Sequence, residues 1–146
     1  MKKSLWSLVY FFLFYQPTSA WADGHIALIK GVRGSVQISR EGKAFEAASN
    51  TTLRIDDRVL VASNATAAIV FKDGTLLTLG GNADIKIRNY LFEPITDKYS
   101  FSVYMAKGSA IYESGKIAKL APGAVQVTTP TATVGVRGTR FLIESN

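Results

Sequence analysis

The sequence lacks cysteine altogether and has one histidine, His25, among its 146 residues. Without cysteine, neither a disulfide nor a lipid-modified N-terminal cysteine can hold the protein. His25 lies near the beginning of the chain, where we expect a mobile, solvated residue rather than a catalytic base or a metal ligand. Stability must therefore come from the burial of apolar surface, which a single domain of this size can provide.

Residues suited to catalysis are also scarce. An enzyme needs a nucleophile, a base or a metal site. Asp56 and Asp57 are adjacent carboxylates, but neighbours in an extended chain point to opposite faces, and a turn explains the pair better. We therefore predict a protein that is not an enzyme and that has no catalytic, cofactor-binding or metal site.

Long apolar runs are absent except for Leu5–Tyr15. This run follows two lysines and precedes Ala20-Trp21-Ala22, which is the pattern of a secretory signal peptide. A membrane-spanning helix needs about 18 or more apolar residues, so the run is too short for an anchor. The pattern predicts a leader over residues 1–22 and one exported domain over 23–146 with no membrane span. A cut after Ala20 would change little.

Charge of one sign is not concentrated anywhere. The chain has 17 Lys and Arg against 11 Asp and Glu, and removal of the two lysines of the leader gives 17 − 2 − 11 = +4. The basic residues are scattered, whereas a nucleic-acid footprint would be clustered, so we expect no nucleic-acid partner. Unspecific attraction to anionic envelope polymers stays open.

The residues after the leader predict an all-β fold. Short runs rich in Val, Ile, Thr and aromatic residues alternate with Gly, Asn and Asp turns, which is typical of a sandwich, a barrel or a solenoid. Asp73 and Gly74 separate two apolar runs and predict a hairpin turn. In YSFSVYMAKG, Tyr99, Phe101, Val103 and Met105 share one face. Only 117–120 has helical character, and we expect this segment to be too short to matter.

The stretch TPTATVGVRGTRF, residues 129–141, combines β-branched residues with two glycines around an arginine. Its apolar residues lie at even positions before Gly138 and at odd positions after it. A strand changes face in this way when a residue is inserted, and Gly138 can adopt the positive φ of such a bulge. Gly135 is expected to allow another group to approach closely. Gly-Val-Arg-Gly also occurs at 31–34, which suggests one local geometry used twice.

The stretch is not a phosphate loop, because it lacks the further glycines, the Lys-Ser/Thr pair and the following helix. Two interpretations of Arg137 remain. Its donors either satisfy carbonyl groups freed by the bulge or contact an anion or a partner peptide.

TPTATVGVRGTRF closely resembles the signature of the FecR domain family, and GSVQISREGKAFEAA and ATAAIVFKDGTLLTLGGNADIKI agree with the family in order. The resemblance implies an exported all-β domain, either a twisted solenoid or a sandwich of short strands. The best-known members are periplasmic and relay the occupancy of an outer-membrane receptor to a sigma factor. The motif residues, structural or partner-binding, are Thr129, Pro130, Ala132, Gly135, Val136, Arg137, Gly138, Thr139 and Phe141.

This sequence departs from the family pattern in three places. It lacks the internal membrane helix and the sigma-binding segment, Asp56-Asp57 stands where Gly-Asp is usual, and the chain stops soon after the motif. We therefore expect a binding module for an envelope protein partner, in the periplasm or else secreted or at the surface. A structural envelope protein that binds polysaccharide is the alternative. The last strand is expected to offer an open edge for self-association or for a partner's strand.

Overall fold

A computed structural model of the chain describes residues 24–135 and 138–146, and β-strands make up most of it. One short helix, α1 (Lys116–Leu120), and 3₁₀ turns at Pro94–Thr96 and Pro122–Ala124 occur among these residues. The strands are β1 (His25–Arg33), β2 (Val36–Arg40), β3 (Lys43–Glu46), β4 (Thr52–Arg54), β5 (Arg58–Val61), β6 (Thr66–Phe71), β7 (Leu76–Leu79), β8 (Asp84–Glu93), β9 (Lys98–Glu113), β10 (Val125–Thr128), β11 (Thr133–Gly135) and β12 (Arg140–Ser145).

The strands form one curled sheet with two halves that share β9. In the first half, β4, β1, β6, β7 and the last part of β9 lie side by side, and β12 pairs with the other side of β9. In the second half, β3, β2, β5, β8 and the first part of β9 lie side by side, followed by β10 and β11. Among the strand pairs of the described residues, only that of β10 with β9 is parallel.

Both halves contribute to one hydrophobic core. Phe71 of the first half packs against Phe101 of the second, with ring centroids 4.9 Å apart in an edge-to-face arrangement. Phe101 in turn meets Tyr112, near the far end of the same strand, at 5.7 Å. Burial of one such side chain contributes about 1.5–3 kcal/mol, so these contacts hold the curled sheet closed.

The all-β architecture and the Asp-Gly hairpin are confirmed. β6 and β7 pair in antiparallel register with Val70 opposite Leu76, and Gly74 in the turn has a φ of 87°. The expected face of YSFSVYMAKG is confirmed too, because its last three members, Phe101, Val103 and Met105, are buried. This segment continues past Gly108 to Glu113 as a single strand.

The expectation of a mobile His25 is wrong. His25 begins β1, is half-buried and lies opposite Arg54 of β4. Pairing of β1 with both β4 and β6 fixes this early segment in the sheet.

The turn expected at Asp56-Asp57 is confirmed. Asp56 has a φ of 74°, a conformation that glycine adopts more readily than aspartate. The carboxylate of Asp57 is 1% exposed and accepts hydrogen bonds from the Arg40 guanidinium at 2.9 and 2.7 Å and from the Arg54 N–H at 2.8 Å. These bonds close the turn between β4 and β5.

Candidate functional site

The Asp-Gly turn carries a buried carboxylate. Asp73 is 2% exposed, and its Oδ2 accepts hydrogen bonds from the Thr75 hydroxyl at 2.7 Å and the Ile117 N–H at 3.1 Å. Its Oδ1 accepts from the Tyr90 hydroxyl at 2.9 Å and the Thr75 N–H at 3.3 Å. A buried charge is tolerated only when donors replace water, and here the donors tie the turn to β8 and α1.

Helix α1 begins directly against this turn. The first N–H groups of a helix have no partner inside the helix, and here Lys116 donates to the Asp73 carbonyl oxygen at 2.9 Å while Ile117 donates to the carboxylate. Gly115, which precedes them, has no room for a side chain, because a Cβ there would clash with Asp73 and Thr75. The segment with helical character is thus a real helix, positioned by the turn.

Two buried tyrosines flank the carboxylate. The Tyr90 hydroxyl donates to Asp73 Oδ1 and accepts from the Asp73 N–H, each at 2.9 Å. Burial raises the pKa of Tyr90 well above its ordinary value, and the negative charge of Asp73 raises this pKa further. Burial also raises the pKa of Tyr112. Both side chains therefore stay neutral at physiological pH.

The Tyr112 hydroxyl is buried and has no hydrogen-bond partner among the described residues. The nearby Thr75 and Ser114 hydroxyls act against the rise of its pKa that burial causes, but they are not in hydrogen-bond geometry. A buried hydroxyl without a partner costs stability, so this hydroxyl does not strengthen the network.

Ser114 joins this network to the motif at 129–141. Its N–H donates to the Thr139 carbonyl oxygen at 2.8 Å, and its hydroxyl donates to the Gly138 carbonyl oxygen, also at 2.8 Å. Beside it, the ring of Phe141 stacks on Tyr112 with centroids 4.9 Å apart. The hairpin turn and the motif, which are separate features of the sequence, therefore meet at the end of β9.

The beginning of the motif forms the loop of a hairpin between β10 and β11. Thr129 is buried, its N–H donates to the Ala132 carbonyl oxygen at 2.8 Å, and its hydroxyl accepts from the Ala132 N–H at 3.1 Å. Pro130 follows Thr129, at a position where its fixed φ favours a turn. Pro130 and Ala132 are exposed, so Thr129 anchors the loop from beneath.

The two glycines of the motif differ. Gly138 has a φ of 111°, which confirms its expected positive φ. The bulge expected at Gly138 is wrong, because this residue lies in the connection between β11 and β12 and not within a strand. The change of face arises because the chain passes from the second half of the sheet to the first. The close approach expected at Gly135 is not found among the described residues, because a Cβ there would meet no atom of theirs within 4 Å. Val136 and Arg137 lie outside the described residues, and both interpretations of Arg137 remain predictions.

The earlier Gly-Val-Arg-Gly copy makes the equivalent passage. Gly34 has a φ of 72° and joins β1 of the first half to β2 of the second. Arg33, before it, is exposed. Each copy of the tetrapeptide thus lies at one of the connections between the two halves of the sheet.

A model of the FecR protein family matches residues 57–146, more than half of the chain. The chain belongs to the FecR protein family. The match begins in the Asp57 turn and spans β5 to β12, including the buried Asp73 network and the whole motif. The family is regulatory and associated with the cell envelope. No curated protein and no solved structure matches the chain.

In residues 24–135 and 138–146, no three histidine, aspartate or glutamate side chains come together where they could hold a metal ion. In the same part of the chain, no helix is both long and apolar enough to cross a membrane.

The sequence did not reveal Thr75, Tyr90, Ser114 or Gly115 as parts of this site. Asp73 and Tyr90 are separated by sixteen residues, and neither β6 nor β7, the strands that flank Asp73, is a neighbour of β8 in the sheet. Tyr90 lies in a run of aromatic and aliphatic residues that resembles any buried strand. A short polar residue before a glycine, as in Ser114-Gly115, was the one available signal for a chain reversal at the end of β9.

Proposed function

We propose that this FecR-family chain is an exported, non-enzymatic binding module that engages a protein partner in envelope signalling, in the periplasm. Membership of a regulatory, envelope-associated family supports the class of function. The leader pattern in residues 1–22, which lie outside the described residues, supports export.

The observation that carries this proposal is the surface around Gly135. Its φ is not positive and a Cβ would meet no neighbour, so neither backbone conformation nor packing within the described chain requires glycine there. We infer that this glycine lets another chain approach the backbone closely. Gly135 is exposed and ends β11, which pairs only with β10 among the described strands.

A partner can use this surface by adding an extended strand to β11. Strand addition takes its affinity from main-chain hydrogen bonds and its specificity from the side chains beside them. The exposed side chains there belong to Thr133 in β11 and to Pro130 and Ala132 in the preceding loop. A partner peptide at β11 would therefore contact residues that the fold itself leaves uncovered.

The test is site-specific photo-crosslinking in cells that make both the chain and its partner. A photoreactive residue at Thr133 should capture one defined protein, whereas the same residue at Ile95, which is fully exposed in a distant turn, should not. Gly135→Val should abolish the cross-link and leave the melting temperature nearly unchanged, because the position is open and valine suits a strand. Gly138→Val should instead destabilise the fold, because valine resists a positive φ.

Two results would count against the proposal. One is equal capture from Thr133 and Ile95, which would show unspecific encounter. The other is a cross-link at Thr133 that Gly135→Val leaves unchanged, because the glycine would then have no part in binding.

A second candidate function is that of a structural protein that binds polysaccharide, and a different face of the sheet favours it. On the outside of β8 and β9, the Arg88 guanidinium lies 4.3 Å from the centre of the Tyr104 ring, and exposed Lys86 is opposite Tyr104 in the sheet. Cations beside an aromatic ring suit an anionic sugar polymer. Salt-sensitive binding to such a polymer that Lys86→Gln and Arg88→Gln remove, without a protein cross-link at Thr133, would favour this second function.

A further inference from the structure

Strand β12 presents an unpaired edge in the part of the chain that the structure describes. It pairs with β9 on one side, and no described strand pairs with its other side. The Thr139 carbonyl oxygen accepts a hydrogen bond from the Ser114 N–H, so backbone groups at odd positions point towards β9. Because these directions alternate along a strand, the N–H and C=O groups of Arg140, Leu142 and Glu144 point to the open edge.

The side chains at this edge are unusually uncovered for a strand. Leu142 is 59% exposed, and Arg140 and Glu144, two positions to either side, are exposed on the same face of the sheet. On the opposite face, Ile143 is buried and Phe141 is partly buried. The edge therefore combines free backbone groups, one exposed leucine and two opposite charges placed symmetrically about it.

We propose that β12 pairs with β12 of a second copy of this chain, antiparallel, about a two-fold axis at Leu142. Antiparallel partners directly opposite each other share a face of the sheet, so an even residue must face an even residue. The outward-pointing backbone groups of the even residues require these to be the hydrogen-bonded pairs. The register centred on Leu142 meets both conditions.

This register brings complementary side chains together. Arg140 of each copy faces Glu144 of the other, the two Leu142 side chains face each other on the axis, and Phe141 of each copy faces Ile143 of the other. A shift of the register by two residues would place a charged side chain opposite Leu142. A shift by one residue would place the exposed face of one strand beside the buried face of the other. A parallel pairing in register would place like charges side by side. The charged and apolar side chains thus favour a second copy of this chain as the partner of β12, and they favour this register.

The other edge strands do not offer this arrangement. β4 and β11 have three residues each, and neither contains both an acidic and a basic side chain that could face each other in two copies. β3 has four residues, and its Lys43 and Glu46 occupy positions of opposite parity, so no antiparallel self-pairing places them opposite each other on one face. β12, with six residues, is the edge that matches itself. The pairing does not depend on the partner proposed for β11.

Sedimentation velocity on the complete chain, purified from an exporting host, tests the proposal. The wild-type chain should form a weak dimer with increasing concentration, because a single strand pair is a small interface. Arg140→Glu and Glu144→Arg should each weaken self-association by about tenfold or more, because like charges then face each other. An equimolar mixture of the two variants should dimerise again, since each copy supplies the charges that the other lacks.

The mixing experiment separates pairing from damage to the fold. Arg140 also lies 3.6 Å from Glu113 of its own chain, and Arg140→Glu loses that exposed ion pair, but mixing cannot restore it. Recovery in the mixture therefore reports contacts between copies. A wild-type chain that stays monomeric at millimolar concentration, or a mixture that does not associate, would overturn the proposal and leave the edge to a different chain.

A single cysteine gives an independent measurement, because the chain has none of its own. The two Leu142 Cα atoms would lie about 5.5 Å apart in a hydrogen-bonded antiparallel pair, a separation that a disulfide spans. Leu142→Cys should therefore form a covalent dimer under mild oxidation. Leu120→Cys is the matched control, because Leu120 is equally exposed at 59% but lies in α1. Equal disulfide formation by both variants would contradict the pairing.

Discussion

Replacement of Tyr90 by phenylalanine should lower the free energy of unfolding by about 2–4 kcal/mol. The change deletes a hydroxyl that donates to Asp73 Oδ1 and accepts from the Asp73 N–H, both at 2.9 Å. A hydrogen bond to a charged group contributes about 1.5–3 kcal/mol, and a buried donor left without a partner costs about 1–3 kcal/mol. The ring still stacks on Phe71 at 5.3 Å, so the loss measures the hydroxyl rather than the packing.

Tyr112→Phe is the matched control for this prediction. The Tyr112 hydroxyl is just as inaccessible but has no hydrogen-bond partner among the described residues. Because a buried hydroxyl without a partner costs stability, its removal should leave the free energy of unfolding unchanged or raise it. Urea denaturation at pH 7, followed by far-ultraviolet circular dichroism, compares both variants with the wild type. Equal losses for the two variants, or no loss for Tyr90→Phe, would refute the stabilising role of the Asp73 network.

Two further predictions concern backbone strain and pH. Asp56→Gly should raise the free energy of unfolding by about 0.5–1 kcal/mol, because Asp56 has a φ of 74° that glycine adopts without strain. Ile55→Gly, in the same turn, is the control and should lower the free energy of unfolding. A lower value for both variants would contradict this account. Burial raises the pKa of Tyr90 and Tyr112 in the folded protein. Above pH 10, the two hydroxyl groups therefore stay protonated in the folded protein, whereas tyrosine in the unfolded chain is deprotonated. This stabilisation is complete below about pH 10 and is lost above it, by up to about 1.4 kcal/mol per pH unit for each tyrosine. Urea midpoints between pH 8 and 11 should fall less steeply for Tyr112→Phe, and an unchanged slope would exclude Tyr112 as a contributor.

Local features of the fold could be predicted because they depend on neighbouring residues. The Asp-Gly turn follows from the backbone freedom of Gly74, and the positive φ of Gly138 follows from a change of parity in the motif. The buried face of β9 follows from the alternation of apolar side chains. Each of these depends on fewer than about ten consecutive residues.

The other features of the fold and of the site depend on which strands become neighbours in the sheet. The local sequence pattern does not determine these neighbours. The buried role of Asp73 requires Tyr90 from β8 and the beginning of α1, both far away in the sequence. The open space at Gly135 could not be foreseen, because it depends on β11 having one neighbour among the described strands. The strand position of His25 could not be predicted either, because its partner Arg54 becomes its neighbour only in the folded sheet.

The two proposed contact surfaces lie on different halves of the sheet and are compatible with each other. β11 belongs to the second half through β10, whereas β12 belongs to the first half through β9. Between these strands, Ser114 donates hydrogen bonds to the carbonyl oxygens of Gly138 and Thr139. These bonds fix the position of the chain between β11 and β12. Binding at β11 therefore need not disturb pairing at β12. Glu144→Arg should weaken the dimer and preserve the cross-link from Thr133, and a parallel loss of both would mean that the partner recognises only the paired form.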